Sequence, residues 1–474
     1  MSRGSSSGPS SHGLLERLFA EIPGDSLAFF RIAFGGILLW EMLRFFAAGW
    51  IEKFYLEPTF HFTYWGFSWL SPWPGALLHF HFVALALAAA CIALGLYHRL
   101  ASAVFFLGFS YVFLLEKARY LNHFYLVILL CFLLIIVPAH HAFSLDARRQ
   151  RHRPGVPAWS LWVLRAQIGL VYFYAALAKL NPDWLHARPL DEWLRERASH
   201  PLLGPLLSHP FAPWLFSYGG LLLDLLATPL LLWRRTRLAC FLVTLAFHLT
   251  NAALFGIGIF PWMMIAANTL FFEPDWPRRL LRLLPADVHT QERASEIRRR
   301  TRTPTVAFLA VYLSVQVLVP LRHFLYPGDV SWTEEGHAFS WHMKLRDKEN
   351  RLSFVVIDKD SGQRFLVDPR VDLKEWQVEK GGGRPDMILE YAHHLAGRYR
   401  AKGHQDVEVR AAAAVSLNGH PYRWLVDPKA DLTQERRGLH PYRWVVRDPQ
   451  LLAVEADGIT LPATAPARSR EREW

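Results

Sequence analysis

The sequence predicts a membrane all-α multi-helix bundle of about nine transmembrane helices, followed by a C-terminal α+β, β-rich extracytoplasmic domain. Three observations carry that expectation. Of 474 residues, 52% are hydrophobic although 20% are charged, and the apolar residues concentrate before about position 322. Several apolar runs there approach the ~20 residues that cross a bilayer core of roughly 30 Å. The formal charge of +11 sits in arginine clusters between those runs, so membrane topology accounts for it without any nucleic acid.

The elements follow in order. MSRGSSSGPSSHG is a polar stretch without an apolar core, so it reads as a disordered tail over 1–20 and not as a cleavable signal peptide. The membrane domain then covers 21–322. Its candidate spans are about 28–47, 77–96, 100–116, 121–138, 161–180, 214–233, 238–254, 257–273 and 304–321. Several are short or carry a charge, as helices shielded by neighbours do. Arg148, Arg149, Arg151 and Arg153 share one connection; Arg234, Arg235 and Arg237 lie in the next alternate one, and Arg298, Arg299 and Arg300 in the one after. Alternate connections share a side, and the positive side is cytoplasmic. The N-terminus is therefore expected inside and the region after 322 outside.

That outer region, 323–460, alternates apolar and polar residues. RLSFVVIDKDSGQRFLVDP (351–369) turns at Asp-Ser-Gly and VRAAAAVSLNGHPYRWLVDP (409–428) at Asn-Gly, both hairpin signatures. PDMILEYAHHLAGRYRAKG (385–403) has helical spacing and a closing glycine. HPYRW at 420–424 recurs at 440–444 and reads as a repeated strand motif. Residues 461–474 read as a loose tail. The three cysteines, Cys91, Cys131 and Cys240, all lie in apolar runs, so neither a disulfide framework nor a cysteine-based metal site is expected. No P-loop, dinucleotide-binding glycine set, HExxH or GxSxG motif is present, and no metal is expected.

With this orientation, polar residues gather at one depth near the outer face. Lys179 ends the fifth span in VYFYAALAKLNPDWL. Asn122 and His123 open the fourth. His248 and Asn251 lie near the outer end of the seventh, and His323 follows the ninth. Ionisable groups inside a membrane are costly and mark functional sites. Each also has a structural alternative: Lys179 as an anchor reaching for water, His123 bonded to backbone, His248 packed between helices. Asp224, deeper in GGLLLDLLATPLLLW, has a structural role as its first expectation, paired with Arg165 or with another helix. FHFTYWGFSWLSPWP (60–74) reads as an interfacial aromatic belt.

The ordered strings LGLYHRLASAVFFLGFSYVFLLEKARYLNHFYLVILL, RAQIGLVYFYAALAKLNPDWL and LAFHLTNAALFGIGIFPWMMIAANTLFFEPDWP resemble the vitamin K-dependent gamma-glutamyl carboxylases and bacterial relatives sharing their transmembrane domain. SWHMKLRDKE and FLVDPRVDL extend the likeness into the outer domain, so that it runs from about residue 20 to about 450. The resemblance implies oxidation of reduced vitamin K, the hydroquinone, by O2 to the 2,3-epoxide. That step is coupled to addition of CO2 at the gamma carbon of peptide glutamates. Lys179 falls on the family's catalytic lysine, which deprotonates the hydroquinone, and Asn122 and His123 on its Asn-His pair. His248 and Met343 match residues at the site; Tyr172 and Asn251 complete the expected substrate-binding set. The implied partners are the bilayer, a quinone, a glutamate-containing peptide and a quinone-epoxide reductase.

A lysine needs special conditions for that role. Its amine is protonated in water, and burial disfavours the charged form, so a desolvated lysine can become a base. The glutamyl carbanion must also meet CO2 before water, which requires a dry site. There are departures from the animal enzymes. Tyr120-Leu121 precede the Asn-His pair where those enzymes are more polar, Arg346 stands where they have a histidine, and the outer domain lacks cysteine. Two alternatives stay open: a quinol epoxidase or monooxygenase without peptide carboxylation, and a non-enzymatic transporter or binding protein, although no inverted repeat is apparent. The arginine-rich, lysine-poor composition leans towards a bacterial inner membrane over an endoplasmic reticulum.

Overall fold

The computed structural model describes residues 11–150, 155–282 and 293–447. Half of the expected N-terminal tail, the whole C-terminal tail, and Arg151 and Arg153 lie outside them. Ser11–Leu18, expected within the tail, form a short helix.

Nine helices correspond to the nine apolar runs: α1 Asp25–Ala47, α2 Ala76–Leu94, α3 His98–Leu115, α4 Asn122–Ile136, α5 Trp159–Lys179, α6 Ala212–Leu232, α7 Arg237–Phe255, α8 Phe260–Asn268 and α9 Arg293–Leu321. Seven are long and apolar enough to cross a membrane by length and composition, against the nine expected; α4 and the α8 segment are apolar but shorter. Local chemistry shortens them. Val137 leaves the helix with ψ 128 because Pro138 excludes helical geometry from the residue before it. At the other, Gly256 and Gly258 take positive φ of 52 and 60, so α8 starts only at Phe260, and it ends in a tight turn over Thr269–Phe271.

One end of the bundle is tied by arginines. Arg31, fully buried, donates to the carbonyls of Ile92 (2.8 Å), Ala93 (2.6 Å), Ala139 (3.1 Å) and Phe143 (2.6 Å). These carbonyls lie at and beyond the ends of α2 and α4, where helices leave acceptors unsatisfied. Asp25 pairs with Arg278 at 3.0 Å, and Arg237 with Glu273 at 2.9 Å. Glu21–Pro23 pair antiparallel with Gly155–Pro157 at the same end. Gly35 allows the crossing of α1 over α2: a Cβ there would sit 2.5 Å from the Ala93 nitrogen.

The region beyond α9 forms a four-stranded antiparallel sheet with helices packed on it. Its strands are β1 Lys348–Asp358, β2 Arg364–Val367, β3 Val407–Leu417 and β4 Arg423–Trp424, in the order β2-β1-β3-β4. Both expected hairpins are present. β1 and β2 flank the Asp-Ser-Gly turn, while β3 and β4 flank Asn418 and Gly419, both at positive φ. The expected helix is α11, Pro385–Ala401, preceded by the short α10, Glu375–Gly381. The repeated HPYRW motif is corrected: the first copy supplies β4, but the second forms no ladder strand, and only an isolated bridge, Val426 to Val445, follows it. The second copy spends Tyr442 on a bond from its backbone N–H to the Glu335 carboxylate at 2.6 Å instead.

This domain is clasped to the loops at the other end of the bundle. Glu390 accepts from the Thr63 backbone N–H at 3.0 Å and pairs with Arg437 at 2.7 Å. Gln377 donates to Phe60 O at 2.8 Å and to the Glu116 carboxylate at 2.9 Å. Lys117 pairs with Asp386. The Asn-Pro-Asp after Lys179 makes a further joint. Asn181 caps a four-residue helix by accepting from Trp184 N–H at 2.9 Å, with Pro182 inside its first turn. Asp183 then accepts from Asn418 Nδ2 at 2.7 Å and meets His420 at 3.0 Å.

Candidate functional site

Where α4 to α8 meet the outer domain lies a chamber of about 1690 Å³. Lys179, Asn122, His123, His248, Asn251, Met343 and Tyr172 all line it. His323 does not; it packs edge-on against His342, with ring centroids 5.0 Å apart.

Lys179 is the last residue of α5 and only 6% exposed. It is not an anchor reaching for water. Its Nζ donates to Asp224 Oδ2 at 2.5 Å and to Ala175 O at 3.3 Å, and sits 5.4 Å from the Trp184 ring centre. Asp224 on α6 is 5% exposed and also lines the chamber. Of the partners expected for Asp224, Arg165 is not the one, since it donates instead to the Leu270 and Phe272 carbonyls at 2.8 and 2.9 Å; the pairing across helices holds, through Lys179. Burial also does not act on Lys179 alone, because a carboxylate is buried with it. Written as ammonium–carboxylate or as amine–acid, the couple holds one proton between two basic atoms and has room for a second.

Asn122 begins α4 and is fixed from both sides. Its Nδ2 donates to His342 O at 3.0 Å, and its Oδ1 accepts from the Tyr120 hydroxyl at 2.9 Å. That hydroxyl in turn accepts from Phe339 N–H at 2.6 Å. The corner thus locks the membrane domain to the outer segment, which Tyr120, a departure from the animal enzymes, makes possible. His123, on the next position, is 8% exposed and faces Phe260 and Gly258. On the far wall, the Tyr172 hydroxyl accepts from Asn268 Nδ2 at 2.8 Å and shares a hydrogen bond with His248 Nε2 at 3.0 Å. His248 Nδ1 is buried without a hydrogen-bond partner. Val171, Phe247, Phe260 and Met264 supply apolar walls. The part of the chamber between these apolar walls, with its few fixed polar groups, suits a lipid-soluble quinol head, while its outer part is lined by charged residues.

On the outer wall the sequence pointed only to Met343 and Arg346, and not to Glu334, His337, His342, Lys348 or Arg384. Glu334 binds Arg346 at 2.6 Å and Lys348 at 3.3 Å, and Arg346 also contacts His337. Burial pushes the Glu334 carboxyl up, but Arg346, Lys348 and Arg384 outweigh it and hold it below the usual carboxylate value. Lys348 is lowered to about 8, by burial above all. His342, 7% exposed, is lowered to about 3 by burial and by His323, Arg346 and Lys179. Glu334, His337, His342 and Arg346 come from the irregular segment before β1, so no periodicity announced them, while Lys348 opens β1 and Arg384 immediately precedes α11. Among the described residues, no group of three or more His, Cys, Asp or Glu is placed to hold a metal.

Comparison with known families matches two adjoining regions. Residues 19–276 match the HTTM domain, and residues 301–450 match the lumenal domain of vitamin K-dependent gamma-carboxylase. No solved structure matches the chain. The first region covers the helical bundle up to α8, the second α9 and the sheet domain, and the chamber lies where they meet. The order of these two matches, over most of its length, makes the chain a member of the vitamin K-dependent gamma-carboxylase family, a multi-pass membrane protein with an HTTM bundle and an extracytoplasmic domain.

Proposed function

We propose that the protein is a membrane vitamin K-dependent gamma-carboxylase. It would oxidise vitamin K hydroquinone with O2 to the 2,3-epoxide and use the strong base so formed to add CO2 to peptide glutamate. One observation carries this reading: the buried Lys179–Asp224 couple shares a single chamber with the Asn122–His123 corner, beneath the family's lumenal domain.

Reduced vitamin K would supply the electrons and, with O2, the base. The protein's own residues do the rest. The Lys179–Asp224 couple takes the quinol proton, which leaves a carboxylic acid beside an ammonium, and the ammonium faces the new oxyanion. The charge is thus balanced at the place where it forms. Asn122, held by Tyr120 and the His342 carbonyl, keeps the quinol head in register. His248, hydrogen-bonded through Nε2 to Tyr172, helps to form the wall on the other side of the quinol head. His123 would serve the carboxylation step, the role that the resemblance implies for it. The apolar walls exclude water, so the carbanion survives until CO2 arrives.

The test uses purified protein in nanodiscs with reduced vitamin K, O2, labelled bicarbonate and a glutamate peptide. Epoxide with fixed label is the expected result. Epoxide alone would reduce the activity to quinol oxidation, and neither product from a folded sample would leave a binding or transport role. His123→Ala is expected to lower label fixation more than epoxide formation.

A further inference from the structure

Of the lysines that line the chamber, Lys179 and Lys348 each face a carboxylate, at 2.5 Å and 3.3 Å. Lys344 is placed differently. It lines the chamber between Met343 and Leu345, and its side chain is exposed to that space. Among the described residues, no hydrogen bond or ion pair holds its nitrogen, which sits 4.4 Å from the centre of the Trp193 ring. A carboxylate keeps a lysine charged, and an indole face holds it more weakly. The next acid along the chain is engaged elsewhere. Asp347 accepts from Trp193 Nε1–H at 3.2 Å, and its backbone exchanges two bonds of 2.8 Å with Asn418.

The arrangement is fixed. Trp193 is buried. Lys344 itself has φ 49, in the left-handed region that a residue with a Cβ enters only at a cost. Such conformations persist where the surrounding structure imposes them, and they gather at functional sites. The walls of the chamber ring the amine at longer range. Burial lowers it to about 8; Arg197 and Lys380 add to that, while Asp347 and Glu196 oppose it. At pH 7.5 such an amine is neutral about a quarter of the time, against about one part in a thousand for an ordinary lysine. Arg197 is anchored by a bond to the Trp193 carbonyl at 2.8 Å.

We propose that Lys344 is a CO2-capture site, whose free amine reversibly takes up CO2 as a carbamate in the chamber wall. The capture itself needs no quinol. Its use, to hold CO2 beside the carboxylation step, rests on the carboxylase function proposed above. The nitrogen lone pair forms an N–C bond to CO2, one C–O π pair moves onto oxygen, and an N–H proton leaves to solvent base. Nothing is oxidised or reduced. The product carries a negative charge where the ammonium carried a positive one, so Arg197 and Lys380 oppose the ammonium and favour the carbamate. Release reverses each step: the nitrogen regains its proton, the C–N bond breaks, and CO2 is set free in the chamber.

The test is carbamate trapping on the full chain in nanodiscs, with isotope-labelled CO2 and no quinol. An ethylating oxonium reagent converts a carbamate into a stable ethyl ester, which mass spectrometry of the digested protein locates. The ester is expected on Lys344 at about tenfold the level on Lys359, which Asp431 pairs at 3.1 Å and holds above the usual lysine value. At fixed CO2 its yield should rise from pH 6.5 to 8.5, as the neutral amine grows. K344R and K344M should both lose it. No ester on Lys344, or equal ester on both lysines, overturns the site. In the carboxylase assay, folded K344M should need several-fold more CO2 for half-maximal label fixation, and an unchanged requirement overturns the holding role. The parent function is read separately. Ester on Lys344 without epoxide or fixed label leaves the capture standing and removes the carboxylase. Fixed label without ester does the reverse.

Discussion

At the residue scale, the behaviour of the site rests on the Lys179–Asp224 couple. Removing either member leaves the other charge stranded at about one-twentieth exposure, a loss of about 3–5 kcal/mol for a buried pair. Asp224→Asn and Lys179→Ala should therefore both lower the unfolding midpoint in detergent. Replacing both with leucine should restore much of the stability, because two apolar side chains fit where two buried charges stood. Epoxide formation should behave differently. It should fall about 10²–10⁴-fold in every one of these variants, the range of a lost general base, and not return in the double variant. Normal epoxide output from Lys179→Ala would remove the lysine from the mechanism. The sequence showed Lys179 plainly, as a lone amine in an aromatic run. It could not show the partner, because the two residues are 45 positions apart on helices whose relative rotation no local pattern sets. Tyr172 and His248, 76 positions apart, share that difficulty.

At the element scale, the segment between α9 and β1 is the least regular part of the outer domain and the most sensitive to acid. Burial above all lowers His342 to about 3 from an ordinary 6.5, and it pushes His337 well below its ordinary value in the same direction. The fold prefers both rings neutral. The stability they contribute is intact above pH 6.5 and is lost as the pH falls towards 3, at up to ~1.4 kcal/mol per unit for each ring. Acidification from pH 7 to 4.5 should loosen this segment, and Trp341, 1% exposed within it, provides the fluorescence signal. The midpoint should shift with His342→Gln; a pH-independent signal would show that these rings already charge within the fold. The hairpins and α11 were legible because turn chemistry is local: Asp-Ser-Gly, Asn-Gly and a closing glycine each act over a few residues. The second HPYRW was misread because the same five residues serve a carboxylate contact there, a choice made by Glu335, over a hundred positions away.

At the scale of the whole molecule, sidedness decides whether a peptide can reach the chamber. Seven full-length crossings place the outer domain opposite the N-terminus, and nine do so as well, since both numbers are odd. If only one of α4 and α8 crossed, the two would share a side. The contacts argue that the short pair behaves alike. His123 at the start of α4 faces Phe260 at the start of α8. At their other ends, Arg31 from α1 reaches Ala139 beyond α4, while Asp25 from α1 holds Arg278 beyond α8. The arginine-rich end is the one tied by Arg31 and Asp25, so the positive-inside rule places it in the cytoplasm and places Gln363, an exposed turn residue of the sheet domain, outside. Gln363→Cys in sealed right-side-out vesicles should react with a membrane-impermeant maleimide. Leu281→Cys, exposed at the opposite end, should react only after permeabilisation. The native cysteines give a low background, since Cys131 and Cys240 are buried and Cys91 lies within α2. The reverse labelling pattern would turn the chamber mouth to the cytosol, where a secreted glutamate peptide does not pass, and the carboxylase proposal would fail whatever the geometry of Lys179.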